Sequence, residues 1–431
     1  MVLGIGATEP LWAASEIAST AVHPLWMTPF WLLLTMIAVA PFVHREWWEH
    51  NYPPVAVGLG LLVAVYYAVG LRETGRLWHT LEEYISFIAL VGSLYIVTGG
   101  VWVHIEKRAT PLVNTAVLLV GSVLSNLVGT TGASVLLIRS YLRINRGRVR
   151  GYHIVFFIFV VGNVSGLLTP VGDPPLFLGY LKGIPFFWPL KSLWPIWGTS
   201  VAILLTLFYF IDRKTPLSDE ATEAPGKKIW IEGGINFLFL GVILVSLFQP
   251  TPFREISLIV SAAAGYKLSK KEILERNGFN FLPIKEVAIL FFGIFMTMIP
   301  TLDWLESNAA GLGLSTVNQF FWITGLLSAT LDNAPTYLTF LSAAFGLHHL
   351  NMDAAGDVAL FVKEHALYLK AVSAGAVLFG AVTYIGNAPN FLVKTIAEQS
   401  GVEVPTFLGY MKYSMAVLIP LFLLIGFLFF I

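Results

Sequence analysis

Apolar stretches near residues 28–43, 54–71, 84–103, 112–143, 152–180 and 192–211, then again near 235–249, 256–266, 286–302, 316–345, 366–396 and 410–431, dominate this chain. Most are long enough to cross a hydrocarbon layer of about 30 Å as helices, and a bilayer accepts only elements whose backbone polar groups are satisfied internally. The composition agrees, with 56% hydrophobic and only 12% charged residues, against roughly 25% charged in soluble domains. A water-soluble fold is excluded. The reading is an all-α polytopic membrane protein surrounded by lipid. Lys plus Arg and Asp plus Glu balance at 26 each, which leaves no basic surplus for nucleic acid. The absence of cysteine removes disulfides, thiolate metal sites and thiol catalysis together.

Residues 1–23 carry no Lys or Arg but contain Glu9 and Glu16, so the positive region of a secretory signal is missing. This segment is expected to be a weakly apolar lead-in to the mature protein. The apolar pattern breaks at 212–234, where charges of both signs mix with Pro and Gly, and this segment reads as a cytoplasmic linker between halves 1–211 and 235–431.

The halves look like copies. Thr169-Pro-Val-Gly172-Asp173-Pro-Pro175-Leu-Phe-Leu178 lies on Thr383-Tyr-Ile-Gly386-Asn387-Ala-Pro389-Asn390-Phe-Leu392 at an offset of 214 residues. Upstream, Leu124-Ser125-Asn126 through Thr130, Thr131 and Gly132 can be laid on Leu327-Ser328-Ala329 through Asp332, Asn333 and Pro335 at an offset of 203. Helix breakers sit inside four blocks, at Gly129/Gly132, Gly172/Pro174/Pro175, Pro335 and Gly386/Pro389. Backbone freed by such breaks must be buried in protein or line a cavity, and breaks in corresponding positions of two repeats are a transporter pattern. Reading 112–143 and 316–345 as re-entrant hairpins, and 152–180 and 366–396 as broken helices, leaves about ten full transmembrane helices, five in each half. An odd number inverts the second repeat. Under this scheme most Lys and Arg fall in the loops 44–53, 104–111, 143–151, 212–234 and 267–285, which the positive-inside rule places in the cytoplasm. The run Arg143 to Arg150 is expected to be a topology signal and lipid contact.

Asp173 and Asp332 are the carboxylates placed deepest, each within a break. A charge at the bilayer centre costs about 2.5–3.5 kcal/mol on insertion scales, so each is a candidate functional group; each can also cap a half-helix. Around them, Ser125, Asn126, Thr130, Thr131, Thr169, Asn333, Thr336, Thr383, Asn387 and Asn390, with the backbone at Gly172 and Gly386, offer oxygen ligands of the kind that suit Na+ or Li+. The candidate transported-ion ligands are therefore Asp173 and Asp332, with the others completing the shell. Of the cations, only Arg139, Lys370 and Lys394 are placed to offset the carboxylates, each a helix turn or more from the breaks. His348, His349, Asp353 and His365 fall in a polar loop without tight ligand spacing and are not expected to bind metal. Gly162-Asn163-Val-Ser165-Gly166 has small-xxx-small spacing and reads as a helix-packing face, from which Asn163 and Ser165 could still reach the cavity.

At these residues the sequence resembles the ion transporter superfamily, which holds the NhaD-type sodium/proton antiporters, the arsenite permeases and the citrate (CitMHS-like) and dicarboxylate transporters. Gly172-Asp-Pro-Pro and Gly386-Asn-Ala-Pro-Asn are similar to its Gly-Asp-Pro-Pro-Asn signature, and Leu331-Asp-Asn-Ala-Pro-Thr resembles the Asp-Asn-x-Pro segment of the antiporter and permease branch. The likeness runs from about residue 80 onward. It implies an elevator-type transporter, usually a homodimer, in which hairpins and broken helices move against scaffold helices. The tips here read Ser125-Asn126-Leu127 and Ser328-Ala329-Thr330, a departure from the paired Ser-Asn-Thr of the dicarboxylate branch.

Two carboxylates in a dry site repel a polyanion unless protonated or neutralised. The leading expectation is therefore exchange of Na+ or Li+ for H+ across a membrane, expected to be a bacterial inner membrane, with no resident cofactor. The alternative is Na+- or H+-coupled uptake of citrate or a related organic anion. Enzymatic readings fare worse: an intramembrane aspartyl protease would need Gly-x-Gly-Asp where the chain has Pro170-Val-Gly172-Asp173, and no phosphate-binding loop of the Gly-x-x-x-x-Gly-Lys-Ser/Thr type is present.

Overall fold

In the first half, α1 (Thr28–Val43), α2 (Arg45–Val65) and α3 (Thr74–Gly99) precede a long kinked α4 (Pro111–Ile144). A broken pair follows, α5 (Gly151–Val160) and α6 (Pro174–Leu181), and then α7 (Trp188–Asp212). The second half repeats the order with α8 (Ile235–Ser246), α9 (Phe253–Leu268), the short α10 (Lys271–Arg276) and α11 (Leu282–Asn308). It continues through α12 (Val317–Ser328), α13 (Asn333–Leu347), α14 (Ala355–Glu364), the broken pair α15 (Ala366–Phe379) and α16 (Ala388–Gln399), and α17 (Phe407–Phe430). This computed structural model describes residues 22–105, 109–216 and 229–431. Nearly all of the lead-in and the middle of the linker thus lie outside the described residues. Eight helical stretches among those described are long and apolar enough to cross a membrane, so the chain is an all-α multi-pass membrane protein.

The stretch at α4 folds back on itself. In a straight helix Asn114 and Asn145 would lie about 46 Å apart, yet Asn114 Nδ2 donates to Asn145 Oδ1 at 2.8 Å. A Cβ on Gly121 would meet Leu137 Cδ1 at 3.1 Å. The reversal sits at Gly129, whose backbone (φ 78°, ψ 156°) is open only to a residue without a side chain. The other hairpin turns between α12 and α13: Ser315 accepts from Tyr368 Oη at 2.7 Å while the ring of His348, just past α13, packs on the same tyrosine.

The two hairpins open toward opposite sides. The open end of α4 meets Asp212 at the end of α7, and Arg143 meets His104. The open end of α12–α13 leads into Asp353, which binds Arg76 and Lys182. These are the two loop sets that the charge distribution separates. Outside the hairpins, α2 packs on α11 and its repeat counterpart α9 packs on α3.

Two features depart from the sequence reading. Trp102–Ile105 and Ile229–Glu232 pair as a short antiparallel ribbon, formed by the flanks of two loops expected on the same side. The pair α8–α9 is also short: α8 has 12 residues, about 18 Å. The first turn of α9 delivers Glu255 to Ser86, within α3, where Ser86 Oγ donates to Glu255 Oε1 at 2.6 Å.

Candidate functional site

The four breaks deliver four helix N-termini to one carboxylate. Asp173 is the N-cap residue of α6, followed by Pro174 and Pro175, whose fixed φ starts the helix without an orphan N–H. Asn387 holds the same place at α16, with matching extended backbone (φ −157°, ψ 145° against −145° and 144°). Thr130 opens the second arm of α4 and Asn333 opens α13. All converge on Asp173: its Oδ1 accepts from Thr130 Oγ1 at 3.1 Å and Asn387 Nδ2 at 2.9 Å, and its Oδ2 accepts from Asn333 Nδ2 at 2.5 Å. The carboxylate is 1% exposed. Each helix start carries a partial positive charge from its N–H groups, which faces Asp173 and is offset in part by Asp332 at the cap of α13.

Both repeat offsets recur as hydrogen bonds. Thr169 Oγ1 donates to Asn126 O at 2.6 Å and accepts from Gly172 N at 3.1 Å. Thr383 Oγ1 donates to Ala329 O at 2.6 Å and accepts from Gly386 N at 3.1 Å. Ser125 ties its hairpin to Val161 O and Ser328 ties the other to Ala376 O. The close approach also recurs: a Cβ on Gly172 would lie 2.3 Å from Gly166 O, and one on Gly386 2.7 Å from Gly380 O.

The predicted site residues therefore sort into two groups. Thr130, Asn333 and Asn387 touch Asp173. Ser125, Asn126, Thr169 and Thr383 instead satisfy backbone freed at the breaks, as when Asn126 Oδ1 accepts from Leu168 N at 3.0 Å. Asn390 gives both amide protons to backbone carbonyls, those of Gly380 and Thr383, and Thr336 bonds Asp332 O. Thr131 is half-buried beside the site and makes none of these contacts. Asp332 caps α13 by accepting from Ala334 N at 3.0 Å; among the described residues no hydrogen bond joins it to Asp173.

The structure also places the other residues singled out in the sequence. Gly162–Gly166 does not pack as a helix face, because α5 ends at Val160 and Gly166 sits in the break, where a Cβ would lie 2.8 Å from Thr130 Cγ2 and 2.9 Å from Asp173 Cβ. Lys394 pairs with Glu398 beside the ring of Tyr384, at a distance from Asp173's polar shell. Arg148 does not face lipid: it is buried and binds Asp212 Oδ1 at 2.8 Å, joined there by Tyr152 and His153. Asp353 is held by Arg76 and Lys182, whereas His348 and His365 stack ring on ring at 3.6 Å. Sequence reasoning missed these pairings because the partners lie far apart along the chain; the signal available was the presence of charges bordering apolar blocks.

With this geometry in place, the chain can be compared with known proteins. The model of a family described as "Putative citrate transport" matches residues 19–430. No curated protein matches the chain.

Proposed function

Because this chain belongs to that citrate-transport family over almost its whole length, we propose that it carries citrate or a closely related organic anion across the membrane, coupled to Na+ or H+. The observation that carries this reading is the meeting of four helix N-termini around Asp173. Converging N-termini attract anionic groups and supply a positive field for a polyanion where Lys and Arg are scarce. Asp173 would hold the coupling cation or proton, lowering the charge that the incoming carboxylates meet. Thr130, Asn333 and Asn387 are its oxygen- and amide-bearing neighbours. The family match supports this reading over simple exchange of Na+ for H+.

Alternating access would follow if α4, α5–α6, α12–α13 and α15–α16 move as one body against α2, α3, α9 and α11. The test is uptake of labelled citrate by proteoliposomes under a Na+ gradient, a pH gradient, or neither. Gradient-dependent uptake lost in Asp173→Asn supports the proposal. Na+- or Li+-driven proton movement in chloride, with no response to citrate, would return the reading to cation/proton exchange.

A further inference from the structure

The geometry points to Asn163 as a positioning residue that fixes which way the amide of Asn387 faces Asp173. This rests on the reading of Asp173 as the coupling group. Asn163 is fully buried in the break after α5. Its Nδ2 donates to Ile158 O at 2.8 Å and to Asn390 Oδ1 at 2.7 Å. Its Oδ1 accepts from Asn387 Nδ2 at 3.2 Å, and that same nitrogen donates to Asp173 Oδ1 at 2.9 Å.

The direction of this chain of amides is forced from its far end. Backbone carbonyls only accept, so Asn390, bonded to Gly380 O and Thr383 O, must present its NH2 to them and its oxygen to Asn163. That oxygen needs a donor, and Ile158 O needs one too, so Asn163 must turn its NH2 toward both. Its own oxygen then faces Asn387, which can serve it only with NH2. The remaining proton of that NH2 points at the carboxylate. The fit is close, because a Cβ on Gly380 would lie 3.1 Å from Asn163 Oδ1. Carbonyls exposed by the second repeat's break thus set, through a residue of the first repeat's break, the polarity of the group facing Asp173. Without Asn163 the Asn387 amide is free to flip and offer oxygen to an anionic carboxylate.

The test is infrared titration of the Asp173 carboxyl band in purified protein, identified by its loss in Asp173→Asn. Asp332 is the other carboxylate acting on Asp173 through space, so the series is repeated in Asp332→Asn. Asn163→Ala is expected to move the band's pH midpoint to that of Asn387→Ala, and the double variant to match Asn387→Ala alone. In citrate uptake the same variant should raise the half-saturating concentration of the coupling cation about five- to tenfold, the value of one hydrogen bond. A midpoint unchanged in Asn163→Ala, or shifts that add in the double variant, overturns the assignment. Should Asn163→Ala fail to fold, Asn163→Ser keeps an acceptor at that position and is read by the same band. If wild-type protein moves no citrate, the proposed function fails while the band still decides this inference.

Discussion

At Asp173, one buried carboxylate takes hydrogen bonds from three side chains supplied by three different breaks. Replacing it with Asn keeps the shape but removes the charge that the coupling ion would meet. Gradient-driven citrate uptake is expected to fall at least about 100-fold in Asp173→Asn, the order of loss when an essential charged group is removed, with normal yield and elution as the check on folding. Asp332→Asn should be far milder, since an Asn can still cap α13 through Ala334 N; equal loss in both would show that Asp332 also carries an ion. Glycine 166 offers a steric counterpart. Gly166→Ala puts a methyl group against Thr130 and Asp173 and should abolish uptake, whereas Gly198→Ala, which meets nothing within 4 Å, should leave it unchanged. Asp173, Asn387, Asn333 and Thr130 were legible because each sits at a helix breaker in a repeated motif. Asn163 was read for its small neighbours, since nothing local reveals an amide bonded across 227 residues.

Among the elements, the hairpins were the most legible, because a polar tip inside a block too long for one crossing leaves the chain few alternatives. What fastens them was not. The open end of α4 is closed by Asn114, Asn145 and Arg148 around Asp212, whose side chain is fully buried. In the sequence, Arg148 is one of several arginines and Asp212 opens a polar linker, so charge counting assigns both to the surface. Breaking a buried ion pair by removing one partner leaves an uncompensated charge and costs about 3–5 kcal/mol. Asp212→Ala should therefore lower the midpoint of thermal unfolding, followed by tryptophan fluorescence in detergent, by several degrees. Arg146→Ala, at an exposed neighbouring position, should change it by less than one degree. Similar losses in both would mean that the buried pair contributes nothing special.

For the whole molecule, the multi-pass α architecture was legible in the order of apolar blocks, while the joint between its parts is visible only in three dimensions. Arg76 binds Asp303 of α11 and Asp353, which follows the second hairpin; Lys182, which follows α6, binds Asp353 at 2.6 Å and Glu83 of α3 at 2.8 Å. Each cation thus bridges one acid on each side of the proposed moving boundary. On separation Arg76 keeps Asp303 and Lys182 keeps Asp353, while Glu83 gives up Lys182 and is left with His79 at 3.8 Å, so opening the joint costs one buried pair rather than two. Burial alone would raise the Asp353 carboxyl, but Lys182 and Arg76 outweigh it and hold it well below the ordinary carboxylate range. Its stabilising contribution is present above the unfolded carboxylate value of about 3.9 and is lost only as pH falls through the lower folded one. Asp353 should therefore stay ionised from pH 5 to 8, and any pH dependence of uptake there should persist in Asp353→Asn. Because the chain has no cysteine, Glu83→Cys with Lys182→Cys places two unique thiols across the boundary, within the combined reach of a Lys and a Glu side chain, for a short bismaleimide to join. If the two parts move apart during transport, the cross-linker should stop citrate uptake, with either single variant unaffected by it. Full uptake in the cross-linked protein would mean that α3 and the segment after α6 travel together, and the boundary would have to be drawn elsewhere.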